Sequence, residues 1–142
     1  MKKLLLVTLL TFGVTLAFGQ RISLTPVAGK SLKAILCNVD TVIFKSNYNI
    51  SIILYKISNG SGSAHMPGTD EVSNKFLIAV SSIDEVPDQY LYSLGDFINP
   101  KVIQFQSLKR ASYLLSIEYG TYKNRKKINL DISVGKVSIV NR

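Results

Sequence analysis

The 142-residue sequence predicts an all-β protein: a small antiparallel β-sandwich of immunoglobulin-like or jelly-roll type, with a small closed β-barrel as the alternative. Three observations carry this. Apolar residues recur at every second position from Val102 to Val140, the period of strands with one face buried. Turn-forming residues interrupt the chain about every ten residues. Beyond the first 19 residues, no stretch of ten or more keeps helical spacing.

The chain opens with Lys2 and Lys3, followed by an uncharged, mainly apolar run from Leu4 to Phe18 and small residues at Ala17 and Gly19. This is the pattern of a bacterial secretory signal peptide over residues 1–19. The run is shorter than the ~20 apolar residues a membrane span needs. Cleavage after Gly19 would leave one domain over residues 20–142, with no membrane span, enough chain to close a single core. Eight lipid-spanning strands with their loops would strain a chain of this length, so the apolar rows are read as a soluble core.

The net charge is +8, and it is unevenly placed. Up to Asp96 the acidic and basic residues of the exported part nearly cancel. From Phe97 onward nine basic residues face only Glu118 and Asp131. A single cysteine, Cys37, excludes an internal disulfide, and its place among Ile35 to Val39 predicts a buried, inert thiol.

Taken in order, Ile22 to Thr25 reads as a short strand, broken by Pro26 and Gly29. Ala34 to Phe44 reads as a second β-rich run, turned or bulged at Asn38 to Asp40. Ile50 to Ile57 is apolar on both faces, as befits a strand at the centre of a sheet, and Phe76 to Val80 is its expected neighbour. Between them lies a long Gly-, Ser- and Asn-rich loop, Ser58 to Asn74. Gln89 to Leu94 satisfies both alternation and a helical turn, and is read as a strand. Val102 to Leu108 places Ile103 and Phe105 on one face. In the next two runs Tyr113, Leu115, Ile117 and Tyr119, then Ile128, Leu130, Ile132 and Val134, point one way. Ser116, Glu118, Lys127, Asn129, Asp131 and Ser133 point the other. Gly135 either turns the chain into a last strand or bulges one long one.

Two places invite a functional reading. The long loop carries the only histidine, His65, and long loops in compact domains are often functional. No second His or Cys stands at metal-ligand spacing, and the G-x-S-x-G pattern that would turn Ser61 or Ser63 into a nucleophile is absent. The second place is Gly120 to Lys127, expected as a hairpin tip. Its Lys123, Arg125, Lys126 and Lys127 beside Tyr119 and Tyr122 form a mixture suited to a polyanion or an acidic glycan. The same residues also suit a solvated turn whose lysines protect a sheet edge.

The expected function is therefore an exported, non-catalytic binding or protein-interaction module. Its partner would be a protein or an anionic glycan at the cell envelope, since export removes a protein from nucleic acid. No motif calls for a metal or a cofactor. The alternative is a small secreted hydrolase or lyase whose site is assembled from distant positions, such as His65 with Asp84 or Tyr90 with Lys101. A third possibility is a structural subunit that adds a strand to a neighbour.

Overall fold

A computed structural model describes residues 29–68, 70–109 and 111–140. The signal peptide expected at residues 1–19 and the strand expected at Ile22 to Thr25 lie outside these residues. Among the described residues one helix, α1 (Lys30–Cys37), precedes eight strands: β1 (Val39–Ser46), β2 (Ile50–Ser58), β3 (Ser73–Ser82), β4 (Gln89–Ile98), β5 (Lys101–Lys109), β6 (Ser112–Thr121), β7 (Asn124–Ser133) and β8 (Lys136–Val140). The first four form one antiparallel sheet in the order β1-β2-β3-β4, and the last four form another in the order β5-β6-β7-β8.

The all-β, sandwich-like expectation holds, but the connectivity is simpler than expected. Immunoglobulin-like and jelly-roll sandwiches carry the chain between sheets through Greek-key crossovers. Here each strand within a sheet is followed by its hydrogen-bonded neighbour, and the chain passes between the sheets at Asn99 and Pro100. The described strands form two separate sheets, not one closed barrel.

The two sheets share one apolar core. Ile50, Ile52 and Leu54 on β2 and Phe76, Ile78 and Val80 on β3 meet Tyr113, Leu115 and Ile117 on β6 and Leu130 and Ile132 on β7. Each set alternates along its strand, so burying one residue in two buries the row. β2 and β3 pair directly, from Ile50 opposite Ser82 to Ser58 opposite Asn74, as their apolar character predicts.

A bulge in β4 completes the core. Between the Asn74–Phe97 and Phe76–Leu94 pairs the register shifts by one, with Gly95 at φ 76. A glycine in the left-handed region is what such a bulge uses. The extra residue turns Phe97 inward, where its ring lies 6.1 Å from Phe76 on its own sheet and 4.5 Å from Tyr119 on the other.

Several local expectations are overturned. The β-rich run from Ala34 begins instead as the end of α1, because Leu32, Ile35 and Leu36 sit at i, i+3 and i+4. The side chain of Asn38 closes the helix by donating to the Ala34 carbonyl at 2.8 Å, and a bulge between Val39 and Thr41 follows. Cys37 is exposed, not buried, since it ends a helix with no buried residue. In β5 a bulge between Val102 and Gln104 places Val102 with Phe105 against the core and leaves Ile103 46% exposed. The outward row of the second sheet is not solvated at its centre: Ser116 is fully buried, and Asn129 and Leu114 nearly so. Ser116 donates to Asn129 Oδ1 at 2.7 Å across the strand pair. Gly135, at φ 74, turns the chain into β8.

Candidate functional site at one end of the sandwich

The antiparallel order brings the two sequence candidates to the same end of the molecule. β2 ends and β3 begins there, so the loop with His65 springs from that end. β4 ends and β5 begins there, at Asn99 and Pro100. The β6–β7 hairpin also turns there, with Thr121 opposite Asn124 as its last pair. Tyr122 and Lys123 form the tip.

The hairpin residues divide into two groups. The Tyr119 ring lies tilted against Phe97 and packs against the core. Arg125 is a latch: its Nη1 donates to the carbonyls of Gly120 at 2.7 Å and Asn99 at 3.0 Å, and its Nη2 meets Glu118 Oε2 at 3.1 Å. A planar guanidinium can serve several acceptors at once, which an ammonium cannot do as well. These two expected site residues are thus engaged by contacts within the protein. Tyr122, Lys123, Lys126 and Lys127 remain exposed, Tyr122 at 98%. Among the described residues the ion pairs are Lys56 with Asp40 and Arg125 with Glu118, and none engages these three lysines.

The His65 loop is tied to the strands beneath it. The Asn59 side-chain amide donates to Ser73 Oγ at 2.9 Å and to Asp96 Oδ1 at 2.7 Å, and the Ser73 amide donates to Ser63 Oγ at 2.8 Å. Within the loop, Ala64 N bonds to the Glu71 carbonyl. His65 itself is exposed, with φ 53. Among the described residues no three His, Cys, Asp or Glu side chains gather as metal ligands do.

Beside the loop and the Asn99 turn lies a polar depression of about 500 Å³, lined by Cys37, Asn38, Asp40, Lys56, Asn74 and Asn99 among others. Sequence reasoning missed it. Its residues come from α1, β1, β2, β3 and the crossing between sheets, and no local pattern joins them. Lys56 Nζ meets Asp40 Oδ2 at 2.6 Å on its wall.

The catalytic pairings considered from sequence are not formed. His65 lies before β3 and Asp84 after it, so the ten residues of β3, about 30 Å of extended chain, separate them. Tyr90 pairs with Val80 toward one end of β4, and Lys101 pairs with Glu118 beyond its other end.

Comparison of the chain with protein-family models, with curated proteins and with solved structures finds no match. No helix among the described residues is long and apolar enough to cross a membrane. The arrangement itself is what bears on function.

Proposed function

We propose that the protein is an exported, non-catalytic binding module that holds an anionic partner at the cell envelope, either an acidic glycan or an acidic protein surface. Export rests on the Lys2, Lys3 and Leu4 to Phe18 pattern and the small residues after it. One observation carries the binding reading: an almost fully exposed tyrosine and three exposed lysines, Lys126 and Lys127 among them on opposite faces of β7, crowd a hairpin whose own arginine is engaged by Glu118 and two carbonyls. A stiff hairpin presents its charges without the ordering cost that a flexible tip would incur. The amides of Asn38, Asn74 and Asn99 in the neighbouring depression add donors and acceptors suited to hydroxyl-rich or peptide groups.

The test is retention of the purified chain on an immobilised sulfated polysaccharide. Retention is expected to fall steeply as salt rises. Joint replacement Lys123→Glu, Lys126→Glu and Lys127→Glu should weaken binding about a hundredfold at low salt, at roughly 1 kcal/mol per lysine facing an anionic surface. Arg125 is left in place because its loss would disturb the hairpin. Retention unchanged by the triple replacement would remove the hairpin from consideration.

A further inference from the structure

The apolar core stops short of the end of the first sheet where the polar depression lies. Along β2 the inward row runs Ile50, Ile52 and Leu54 and then turns polar at Lys56 and Ser58, and along β3 it runs Val80, Ile78 and Phe76 and ends at Asn74. Ser58 stands opposite Asn74, and Asn74 opposite Phe97. An amide thus takes the last inward place of a central strand, and Asn74 is only 8% exposed.

Most of the polar side chains around the depression are already engaged. Lys56 Nζ meets Asp40 Oδ2, the Asn38 amide donates to the Ala34 carbonyl, and Ser58 Oγ accepts from Gly60 N at 3.2 Å. Asn74 differs: among the described residues its side-chain amide has no hydrogen-bond partner. Nor is any side-chain nitrogen or oxygen among these residues sealed from solvent without a partner, so the Asn74 amide opens on the depression that it lines. A nearly buried amide whose donors and acceptor are unspent is set to bond what enters the space before it. Asn99, exposed on the crossing between the sheets, brings a second amide to the same depression.

We propose that the depression is a binding site for one uncharged sugar residue, held by the amides of Asn74 and Asn99. The charge balance selects a neutral ligand: Lys56 and Asp40 neutralise each other on the wall, and the other lining residues carry no charge. A hydroxyl both donates and accepts, so neighbouring hydroxyls of a pyranose take the carbonyl and the amino group of one carboxamide together. Val39 and Val72 also line the depression and meet the C–H face of the ring. At about 500 Å³ it falls within the usual range of small-molecule sites, about 300 to 1,000 Å³. A peptide fits less well, because an extended segment takes its bonds from a row of backbone groups along a sheet edge, whereas the groups offered here are side-chain amides. The site builds on the binding reading in taking the depression as a contact surface, but it needs none of the hairpin lysines.

The experiment is a proton–nitrogen correlation NMR titration of the protein expressed from its full sequence and purified as it accumulates, with glucose, galactose, mannose, rhamnose and N-acetylglucosamine up to about 50 mM each. At least one sugar is expected to shift the side-chain amide signals of Asn74 and Asn99 with a dissociation constant on the order of 1 mM, unchanged between low and raised salt because no charge is paired. Asn74→Val, read from the Asn38 and Asn99 signals, should weaken that binding about tenfold or more by removing its hydrogen bonds. It should leave the urea midpoint at or above the wild-type value, since the amide bonds nothing in the fold and a β-branched side chain suits a strand. Asn99→Gly, read from the Asn74 signals, should weaken binding severalfold. Glycine accepts the φ of 45 at that position and keeps the carbonyl that Arg125 uses. Joint replacement of Lys123, Lys126 and Lys127 by Glu should leave sugar binding intact, so that failure of the lysine reading and failure of this one are read separately. Signals that none of these sugars moves overturn the proposal, as does a sugar bound equally well by both asparagine variants. N-acetyl-trialanine amide moving the signals where no sugar does overturns it in favour of a peptide.

Discussion

Arg125 shows how much one side chain can decide. Of the four basic residues in the hairpin, it alone reaches back across the sheet, joining Glu118, the Gly120 carbonyl and the Asn99 carbonyl. Replacement by Ala should lower stability by about 1–2 kcal/mol, because two carbonyls lose a charged donor and Glu118 loses its partner. Partial exposure of the pair keeps the loss modest. Lys123→Ala, by contrast, should leave the urea midpoint unchanged, and a comparison of the two variants by chemical denaturation checks both expectations. Gly120 is constrained for a different reason: at φ 112, a Cβ there would run into the Asn124 carbonyl oxygen. Gly120→Ala should therefore cost about 1–3 kcal/mol, read in the same measurement, and should loosen the hairpin tip. The four basic residues look alike in sequence. Their separation into one latch and three free charges depends on the β6–β7 register, which places Glu118 opposite Lys127 and Gly120 opposite Arg125.

At the scale of elements, the bulges do most of what alternation cannot. Without the extra residue at Gly95, Phe97 would face out and the Phe76, Phe97 and Tyr119 ring contacts would not form. Phe97→Ala should destabilise the fold by about 3–5 kcal/mol, the usual cost of removing a buried phenylalanine, since Phe97 is only 7% exposed. A loss of unfolding free energy in urea of less than a third of that would mean that Tyr119 and Phe76 close the gap. The β5 bulge acts in the opposite sense, turning Ile103 out and Val102 in. Alternation alone placed Ile103 with Phe105, because a single inserted residue reverses the faces on one side of it and leaves no compositional mark. The helix was hidden for a related reason. Ile35, Cys37 and Val39 alternate like a strand, while Leu32, Ile35 and Leu36 repeat like a helix, and a segment this short satisfies both periods.

For the whole molecule, the shared core implies that the two sheets depend on each other. Each is a consecutive meander, yet the residues buried in one are buried against the other, and a four-stranded sheet with its apolar face in water would not persist. Unfolding should therefore be a single transition. The chain has seven tyrosines and no tryptophan, so tyrosine fluorescence and far-UV circular dichroism can be followed together in urea. Coincident curves are expected, and two separated transitions would show that the sheets unfold independently.

The sequence by itself determined the β class, the pairing of the Ile50 to Ile57 and Phe76 to Val80 strands and the hairpin at Gly120 to Lys127. All of these are local: a period of two, turn residues between apolar runs, and neighbours joined by short connections carry them. Tertiary structure alone decided that the His65 loop and the basic hairpin share one end, that Arg125 is engaged by Glu118 and two carbonyls while the lysines are exposed, that Gly135 turns the chain, and that Val42, Phe44 and Leu91 stay exposed on the first sheet. Those depend on which strands lie side by side and on where bulges shift the register. A chain read one segment at a time holds no information about distances between segments, and it is those distances that turn scattered residues into a surface.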